Sequence, residues 1–266
     1  MTRDGRPIGV FDSGLGGLTV VRSLIDLLPD EDIVYFGDTG RFPYGPKPAD
    51  EVCKYSFEIT DRLLDRRIKM LVVACNSAAA AALDLLQRRV EIPVIGVIEP
   101  GIRAARDVTE TGRVGVIGTV GTIASGAYQR AADEFAPGIE LTCAACPGFV
   151  EFVEAGDVDS DQVHILAERL LAPVRDAGVD TLILGCTHYP LLARTIGDVM
   201  GSDVVLVSSA DETAFEVRNL LQGDIRVPIG KGRHEFITSG DVATFRELGA
   251  RFLGPEVDRV EAWSWS

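Results

Sequence analysis

The sequence predicts an α/β protein of two similar lobes, each a parallel sheet flanked by helices, with the active site in the cleft between them. Short apolar runs alternate with helical patterns, which favours parallel sheets with right-handed crossovers. An order of four strands with helices between them occurs twice. The third strand ends in a cysteine both times, at Cys75 and Cys186, which lie 111 residues apart (186 − 75). This separation is too long for a short solenoid repeat and fits two similar lobes that face each other. Because a strand in each lobe ends in a thiol, we expect one site built from two halves.

The first half begins with an apolar strand that runs into the polar, glycine-rich stretch 12–17. Helical spacing of apolar residues then continues as far as Pro29. The second strand is followed by a glycine- and proline-rich loop at 40–48, long enough to be functional rather than a simple connector. The predicted elements are strands at 8–11, 33–36, 72–74 and 94–98 and helices at 18–28 and 78–88, with one more helix before the Cys75 strand.

The second half repeats this order, and a tail follows it. Its predicted elements are strands at 114–117, 139–145, 183–185 and 204–207, a long helix at 160–177 and shorter helices in the other connections. The tail is predicted to form a helix at 211–221, a strand at 235–238 and a helix at 242–252, and to pack on the first lobe. We therefore assign residues 1–98 and 210–266 to the first lobe and residues 99–209 to the second.

Composition narrows the functional class. A chain of 266 residues with 46% hydrophobic and 25% charged residues is typical of a soluble globular enzyme. A formal net charge of −14 argues against nucleic acid as a partner. No apolar run approaches the roughly 18 to 20 residues that span a bilayer, and the N-terminus lacks the pattern of a signal peptide, so we expect a cytoplasmic protein without membrane contact. Five cysteines are an odd count, which argues against a disulfide framework.

Cys75 and Cys186 each follow a strand and precede a helical segment. The N–H groups at a helix start lower a thiol pKa, so this position suits an activated thiol. Three alternatives are a buried inert cysteine, a disulfide that would lock the lobes together, and a metal site completed by His188 with a spacing unusual for zinc. General acid–base catalysis explains two matched thiols better, because one can remove a proton while the other returns one on the opposite face of a carbon.

Polar side chains at the other strand ends supply donors for a small acidic ligand without a cluster of Arg or Lys. Asp12 and His188 add one ionisable group to each half, although an N-cap aspartate and a structural histidine are the plainer interpretations. Cys143 and Cys146 match a CxxC spacing, but no second CxxC exists and we interpret them as structural. The candidate ligand contacts at this stage are Ser13, Asn76, Ser77, Thr119, Thr122 and Thr187.

Several motifs together resemble those of the glutamate racemases, the cofactor-independent branch of the aspartate/glutamate racemase family. The resemblance spans nearly the whole chain. Its motifs are Phe11-Asp12-Ser13-Gly14-Leu15-Gly16-Gly17, Pro43-Tyr44-Gly45, Ala74-Cys75-Asn76-Ser77-Ala78, Cys146-Pro147 with Phe149-Val150 and Val153-Glu154, and Gly185-Cys186-Thr187-His188-Tyr189-Pro190.

The resemblance implies interconversion of L- and D-glutamate by a homodimer without a cofactor or a metal, supplying D-glutamate for peptidoglycan. It implies that Cys75 and Cys186 are the acid/base residues, with Cys75 deprotonating D-glutamate. The implied supporting ionisable groups are Asp12, Glu154 and His188. The implied substrate-binding residues are Asp12, Ser13, Tyr44, Gly45, Asn76, Ser77, Thr187 and His188, with Thr119 and Thr122 beside them.

The chain departs from the family pattern at two positions. Ser77 stands where threonine is more common, which keeps a hydroxyl but loses a methyl contact, and Gly148 replaces a larger residue. His188 favours glutamate, because aspartate racemases typically carry an acidic residue there. Racemisation of aspartate or a related small acid, and a two-lobed binding protein without chemistry, are the alternatives to be separated.

Overall fold

The computed structural model describes residues 4–221, 230–257 and 259–265. Residues 1–3, part of the stretch examined for a signal peptide, lie outside them. Two parallel sheets organise the described chain, as the sequence predicts. The strands are β1 Ile8–Asp12, β2 Ile33–Gly37, β3 Met70–Val73, β4 Val94–Gly96, β5 Arg113–Gly118, β6 Glu140–Ala145, β7 Thr181–Gly185, β8 Val205–Ser208, β9 His234–Thr238 and β10 Val260–Ala262.

Helices fill the connections. They are α1 Leu18–Leu27, α2 Ala49–Asp65, α3 Asn76–Arg89, α4 Ile98–Val108, α5 Val120–Ala124, α6 Ala127–Phe135, α7 Phe149–Ala155, α8 Asp161–Asp176, α9 Ala193–Met200, α10 Ser209–Leu220 and α11 Val242–Leu253, with a 3-10 turn at Tyr189–Leu192. No helix among the described ranges has the length and apolar character that crossing a bilayer requires.

The two sheets share one strand order. The first runs β10-β9-β2-β1-β3-β4 and the second β6-β5-β7-β8, so β2-β1-β3-β4 and β6-β5-β7-β8 are equivalent. β1, β2, β3 and β7 are buried along their whole length, as expected when helices cover both faces of a parallel sheet. In each sheet the first strand of the repeat, β1 or β5, lies between the second and the third, so the strand order reverses direction beside it. Ligands bind outside the carboxyl ends of the strands at such a point.

The tail joins the first sheet. β9 pairs with β2, β10 pairs with β9, and α11 packs on α1. β10 is absent from the sequence prediction, because three residues at a sheet edge carry almost no periodic signal. α4 contacts β7 and also α10, which packs on α1. The exact lobe boundaries near residues 98 and 209 therefore stay a prediction.

Candidate active site

The loops after β1, β2, β3, β5 and β7 meet at one small cavity between the two sheets. Its volume is about 20 Å³, room for roughly one water molecule. Both sheets contribute a thiol to its wall, from the equivalent ends of β3 and β7. The lining residues are Ser13, Phe42, Pro43, Tyr44, Gly45, Cys75, Asn76, Ser77, Thr119, Val150, Cys186, Thr187 and His188.

Cys75 is the N-cap residue of α3 and has extended backbone angles. The helix therefore begins at Asn76, two residues earlier than predicted. Sγ of Cys75 lies 3.6 Å from Oγ of Ser13. Burial and the nearby Asp12 carboxylate raise the pKa of the Cys75 thiol to about 12, against the lowering effect of the Ala78 N–H and of Ser13. The predicted helix-start effect is therefore present, since the Ala78 N–H lowers this pKa, but desolvation outweighs it and the net pKa of the thiol is raised.

Asp12 lies beneath the cavity wall and is fully buried. Its carboxylate accepts a hydrogen bond from the Gly14 N–H (2.9 Å) and one from the Thr187 hydroxyl (3.4 Å). The second bond crosses from the first sheet's loop to that of the second. Asp12 therefore ties the two cysteine-bearing halves together besides setting the charge beside Cys75.

Cys186 occupies a different setting. Thr187 and His188 follow it and lead into the 3-10 turn at Tyr189–Leu192, so the predicted helical segment begins three residues after Cys186, whereas it begins directly after Cys75. Sγ of Cys186 lies 4.0 Å from Nδ1 of His188, and Nε2 of His188 lies 2.7 Å from a carboxylate oxygen of Glu154. The sulfur, the imidazole and the carboxylate are therefore linked by two consecutive polar contacts.

These two contacts control the charge of His188. Burial lowers the pKa of the imidazole, but its bonds to Cys186 and Glu154 outweigh burial and raise the pKa to about 10. The ring also packs beside Phe42, with centroids 5.8 Å apart, and edge-on against Phe252 at 5.6 Å. An imidazolium held in place therefore stands beside one of the two thiols at neutral pH.

Hydroxyl and amide groups join the halves on the other side of the cavity. The hydroxyls of Ser77, Thr119 and Thr122 lie within 3.0 to 3.2 Å of one another. The hydroxyl of the buried Tyr128, on α6, donates to Oδ1 of Asn76 at 2.8 Å. These bonds fix the orientation of the side chains that α3 presents to the cavity.

Two glycines allow the loops to approach closely. A Cβ at Gly16 would lie 2.2 Å from the Thr187 hydroxyl and 2.5 Å from Nδ1 of His188. A Cβ at Gly45 would lie 2.7 Å from Thr119, and the Gly45 carbonyl accepts a hydrogen bond from the Gly121 N–H at 2.9 Å. Any side chain at either position would hold the halves apart.

Most residues that the sequence singles out come together here. Asp12, Glu154 and Thr122 do not line the cavity but bond to residues that do. Sequence reasoning missed Phe42 as a wall residue, although it directly precedes the quoted motif Pro43-Tyr44-Gly45. Pro43 and Val150 belong to quoted motifs but were given no role.

The CxxC cysteines lie outside the cavity wall. Cys146 is buried, and its backbone carbonyl accepts a hydrogen bond from the Tyr189 hydroxyl at 3.0 Å. Cys143 is half-buried and contacts Gln129. Both are free thiols, and among the described residues no group of three His, Cys, Asp or Glu could hold a metal ion. These contacts fit the structural interpretation.

This chain is similar to known racemases in sequence and in fold. The profile described as Asp/Glu/Hydantoin racemase matches residues 8–216. A glutamate racemase of Geobacter metallireducens is 51% identical over 257 residues, covering 96% of this chain and 95% of the relative. A glutamate racemase of Mycobacterium leprae is 52% identical over 263 residues, covering 96% and 94%.

Solved structures agree with this assignment. A glutamate racemase isoform of Bacillus anthracis superposes with a TM-score of 0.91 at 44% identity, covering 98% of this chain and 97% of that one. The Francisella tularensis glutamate racemase in complex with D-glutamate gives 0.90 at 36% identity, with 98% of each chain covered. The aspartate racemase of Picrophilus torridus, at 15% identity and a TM-score of 0.57, shares the fold. The chain belongs to the Asp/Glu/hydantoin racemase family and is an amino-acid racemase.

Proposed function

We propose that this enzyme interconverts L- and D-glutamate by a two-thiol acid/base mechanism without a cofactor. One observation carries the proposal: a thiol from the end of the third strand of each sheet lines one shared cavity. Relatives that match this chain over almost its full length are glutamate racemases, and one related structure contains D-glutamate. The two thiols would then flank the α-carbon of a single bound amino acid.

In this mechanism Cys75, as thiolate, removes the α-proton of D-glutamate, and the Cys186 thiol donates a proton to the opposite face. The C–H electron pair passes into an enolate-like carbanion and then forms the new C–H bond, which inverts the centre. For L-glutamate the roles exchange. Polar donors of the wall must bind the carbanion more tightly than the ground state for the reaction to be accelerated.

Each half of the site supplies its own support. On the Cys75 side the α3 N-terminus and Ser13 hold the sulfur, and the ammonium group of the substrate would offset the negative charge of Asp12 that opposes a thiolate. On the Cys186 side the His188 imidazolium, fixed by Glu154, donates toward the sulfur. The remaining wall residues, Tyr44, Gly45, Asn76, Ser77, Thr119 and Thr187, would bind the carboxylates, with Thr122 holding Ser77 and Thr119.

The cavity supports closure of the lobes around the substrate. A volume of about 20 Å³ is far too small for an amino acid, so the halves must separate for glutamate to enter. The bonds between Gly45 and Gly121 and between Thr187 and Asp12 are among the contacts that would break and re-form. Closure would exclude water and limit loss of the abstracted proton.

The same proposal covers the cellular setting. We infer a cytoplasmic homodimer that supplies D-glutamate for peptidoglycan synthesis. Free thiols at all five cysteines suit a reducing compartment. His188 supports glutamate over aspartate as substrate.

The test uses purified protein freed of metals and pyridoxal phosphate and supplied with D-glutamate. We expect the circular-dichroism signal of the amino acid to decay to zero, and D-aspartate under the same conditions to change far more slowly. Persistent optical activity of D-glutamate would contradict the proposal. Saturable glutamate binding without turnover would instead identify a binding protein, and faster turnover of aspartate would assign the other substrate.

A further inference from the structure

The tail of the chain reaches the loop that lines the active site. The loop at residues 40–48 contributes Phe42, Pro43, Tyr44 and Gly45 to the cavity wall. On its outer side lies Trp265, which follows the edge strand β10 and packs its ring on Phe36, with centroids 5.5 Å apart. The tail and this loop therefore share a boundary away from the cavity.

Asp38 joins the two segments. Its side chain is fully buried at the end of β2, and its backbone N–H donates to the carbonyl of Asp12 at 3.0 Å. One carboxylate oxygen accepts hydrogen bonds from Nε1 of Trp265 (2.9 Å) and the Ser239 hydroxyl (2.6 Å). The other accepts from the Tyr44 hydroxyl and from Nε of Arg41. A single carboxylate thus has the tail on one oxygen and the active-site loop on the other.

Arg41 provides a second connection between tail and loop. Its guanidinium lies 3.7 Å from the ring centroid of Trp265 and 3.9 Å from that of Tyr55, so it is sandwiched between two aromatic faces. Tyr55 in turn packs against Tyr44, with centroids 5.6 Å apart. Stacking of this kind orients Arg41 and, through it, the first residues of the loop.

Trp263 offers an internal comparison. It packs edge-on against Trp265 at 5.9 Å and stacks on Arg62 at 4.0 Å. Its Nε1 has no hydrogen-bond partner within the described ranges, whereas Nε1 of Trp265 bonds to Asp38. The two tryptophans therefore share a neighbourhood but differ in their connection to the loop.

We propose that Trp265 is a positioning residue for racemisation, acting through Asp38 and Arg41 to hold Tyr44 and Gly45 in the cavity wall. A buried carboxylate needs its full set of donors to keep one orientation, and loss of the indole N–H leaves this oxygen of Asp38 with the Ser239 hydroxyl in place of two donors. Reorientation of Asp38 would then release the Tyr44 hydroxyl on its other oxygen. The inference deepens the proposed function, and its kinetic arm rests on it.

The kinetic test compares Trp265→Phe with Trp263→Phe in the full chain. We expect Trp265→Phe to raise the KM for glutamate about tenfold with kcat changed less than about threefold, the order expected when a hydrogen bond to a charged group is lost. Trp263→Phe, which removes an unpartnered N–H, should leave KM near the wild-type value. Equal increases in both variants, or no increase with Trp265→Phe, would overturn the proposal.

A double-mutant cycle tests the route. Tyr44→Phe removes the hydroxyl at the far end of the connection, so adding Trp265→Phe to it should increase KM much less than Trp265→Phe does alone. If KM of the double variant rose by the product of the two single-variant factors, Trp265 would act independently of Tyr44, which would contradict the proposed route.

Amide hydrogen exchange provides a readout that needs no substrate. Exchange in residues 41–47 should accelerate in Trp265→Phe and stay unchanged in Trp263→Phe, with melting temperatures of both variants measured alongside. If the wild type does not racemise glutamate but the exchange difference appears, the proposed function fails while the positioning role stands. If racemisation is normal and no exchange difference appears, the positioning role fails alone.

Discussion

The two cysteine sites occupy equivalent positions in equivalent strand orders, yet their surroundings differ. Cys75 caps an α-helix, lies beside Ser13 and faces the charge of Asp12, with its pKa raised to about 12. Cys186 lies in a loop beside His188, whose pKa is raised to about 10 by its bonds to the sulfur and to Glu154. A repeated fold has thus placed two like thiols next to unlike ionisable partners.

This difference teaches that the fold duplicates positions but not proton chemistry. Cys186 has an imidazolium beside it, whereas Cys75 has a carboxylate nearby, which opposes negative charge on its sulfur. The two thiols therefore lie beside charges of opposite sign. Racemisation gives them unlike tasks in each direction, since one thiol must accept a proton while the other donates one.

The largest expected effect comes from removing either thiol. Cys75→Ala and Cys186→Ala should each lower racemisation by about a thousandfold or more, because each step loses its acid or base. The remaining thiol should still exchange the α-proton of one enantiomer in D₂O. We expect Cys186→Ala to exchange D-glutamate and Cys75→Ala to exchange L-glutamate, measured by NMR.

The outcome distinguishes opposite faces from a shared face. If both variants exchanged the same enantiomer, the two sulfurs would act on one face and the scheme would be wrong. Cys146→Ala is the matched control, since it removes a buried thiol outside the cavity wall. Its racemisation should stay within about threefold of the wild type, with far-UV circular dichroism confirming the fold of all three variants.

A smaller effect should follow from His188→Gln. Loss of the imidazolium should slow proton return by Cys186 and lower racemisation of D-glutamate by about 10- to 100-fold. Exchange of the D-glutamate α-proton through Cys75 should decrease much less. The ratio of exchange to racemisation, followed by NMR and circular dichroism on one sample, should therefore rise.

The matched change on the other side is Asp12→Asn. Removing this carboxylate should lower the pKa of the Cys75 thiol and speed its alkylation by iodoacetamide at pH 8 to 9, counted by peptide mass spectrometry. His188→Gln should leave Cys75 alkylation unchanged. Equal responses of both thiols to both substitutions would mean that the halves are not chemically separate.

The sequence predicts the fold well where strands are long and apolar. β1, β3 and β7 are continuous buried runs and β5 is buried from Val114 onward, so the existence and parallel order of these strands follow from pattern alone. β10 could not be predicted, since it has three residues, Val260–Ala262, at the sheet edge and the last two are exposed. Its existence depends on pairing with β9, which no local signal encodes.

The site shows the same limit. Cys75 and Cys186 are predictable because each ends a strand, and strand ends meet at one edge of a parallel sheet. Tyr128 and Trp265 are not, because their roles depend on single hydrogen bonds to residues 52 and 227 positions away. The pKa of Cys75 is also beyond sequence reasoning, since burial and helix N-terminus act in opposite directions and only geometry decides between them.

A moderate effect is expected from the bond that orients Asn76. The Tyr128 hydroxyl occupies Oδ1 of Asn76, which leaves the amide N–H groups to serve a carboxylate. Tyr128→Phe keeps the buried ring but frees the amide to rotate. We expect kcat/KM to fall about tenfold, mostly through KM. Tyr189→Phe, which removes a buried hydroxyl bonded to a backbone carbonyl, is the control and should change KM less; the reverse ranking would contradict the role of Tyr128.

The smallest effect concerns the free energy of unfolding and tests the contact between His188 and Glu154 on the Cys186 side. The pKa of His188 is about 10 when folded and near 6.5 when unfolded, so its imidazolium contributes stability that is complete below pH 6.5 and lost as pH rises through 10. Glu154→Gln removes the ionic part of this contribution, about 1 kcal/mol, because the glutamine amide still accepts a hydrogen bond. Urea unfolding should show that Glu154→Gln has the full loss in free energy of unfolding, relative to the wild type, at pH 6.5 and almost no loss at pH 10. Glu151→Gln, on the exposed face of α7, is the control and should show no such pH dependence. If the loss in free energy of unfolding of Glu154→Gln stayed constant across this pH range, His188 would not be held charged by Glu154.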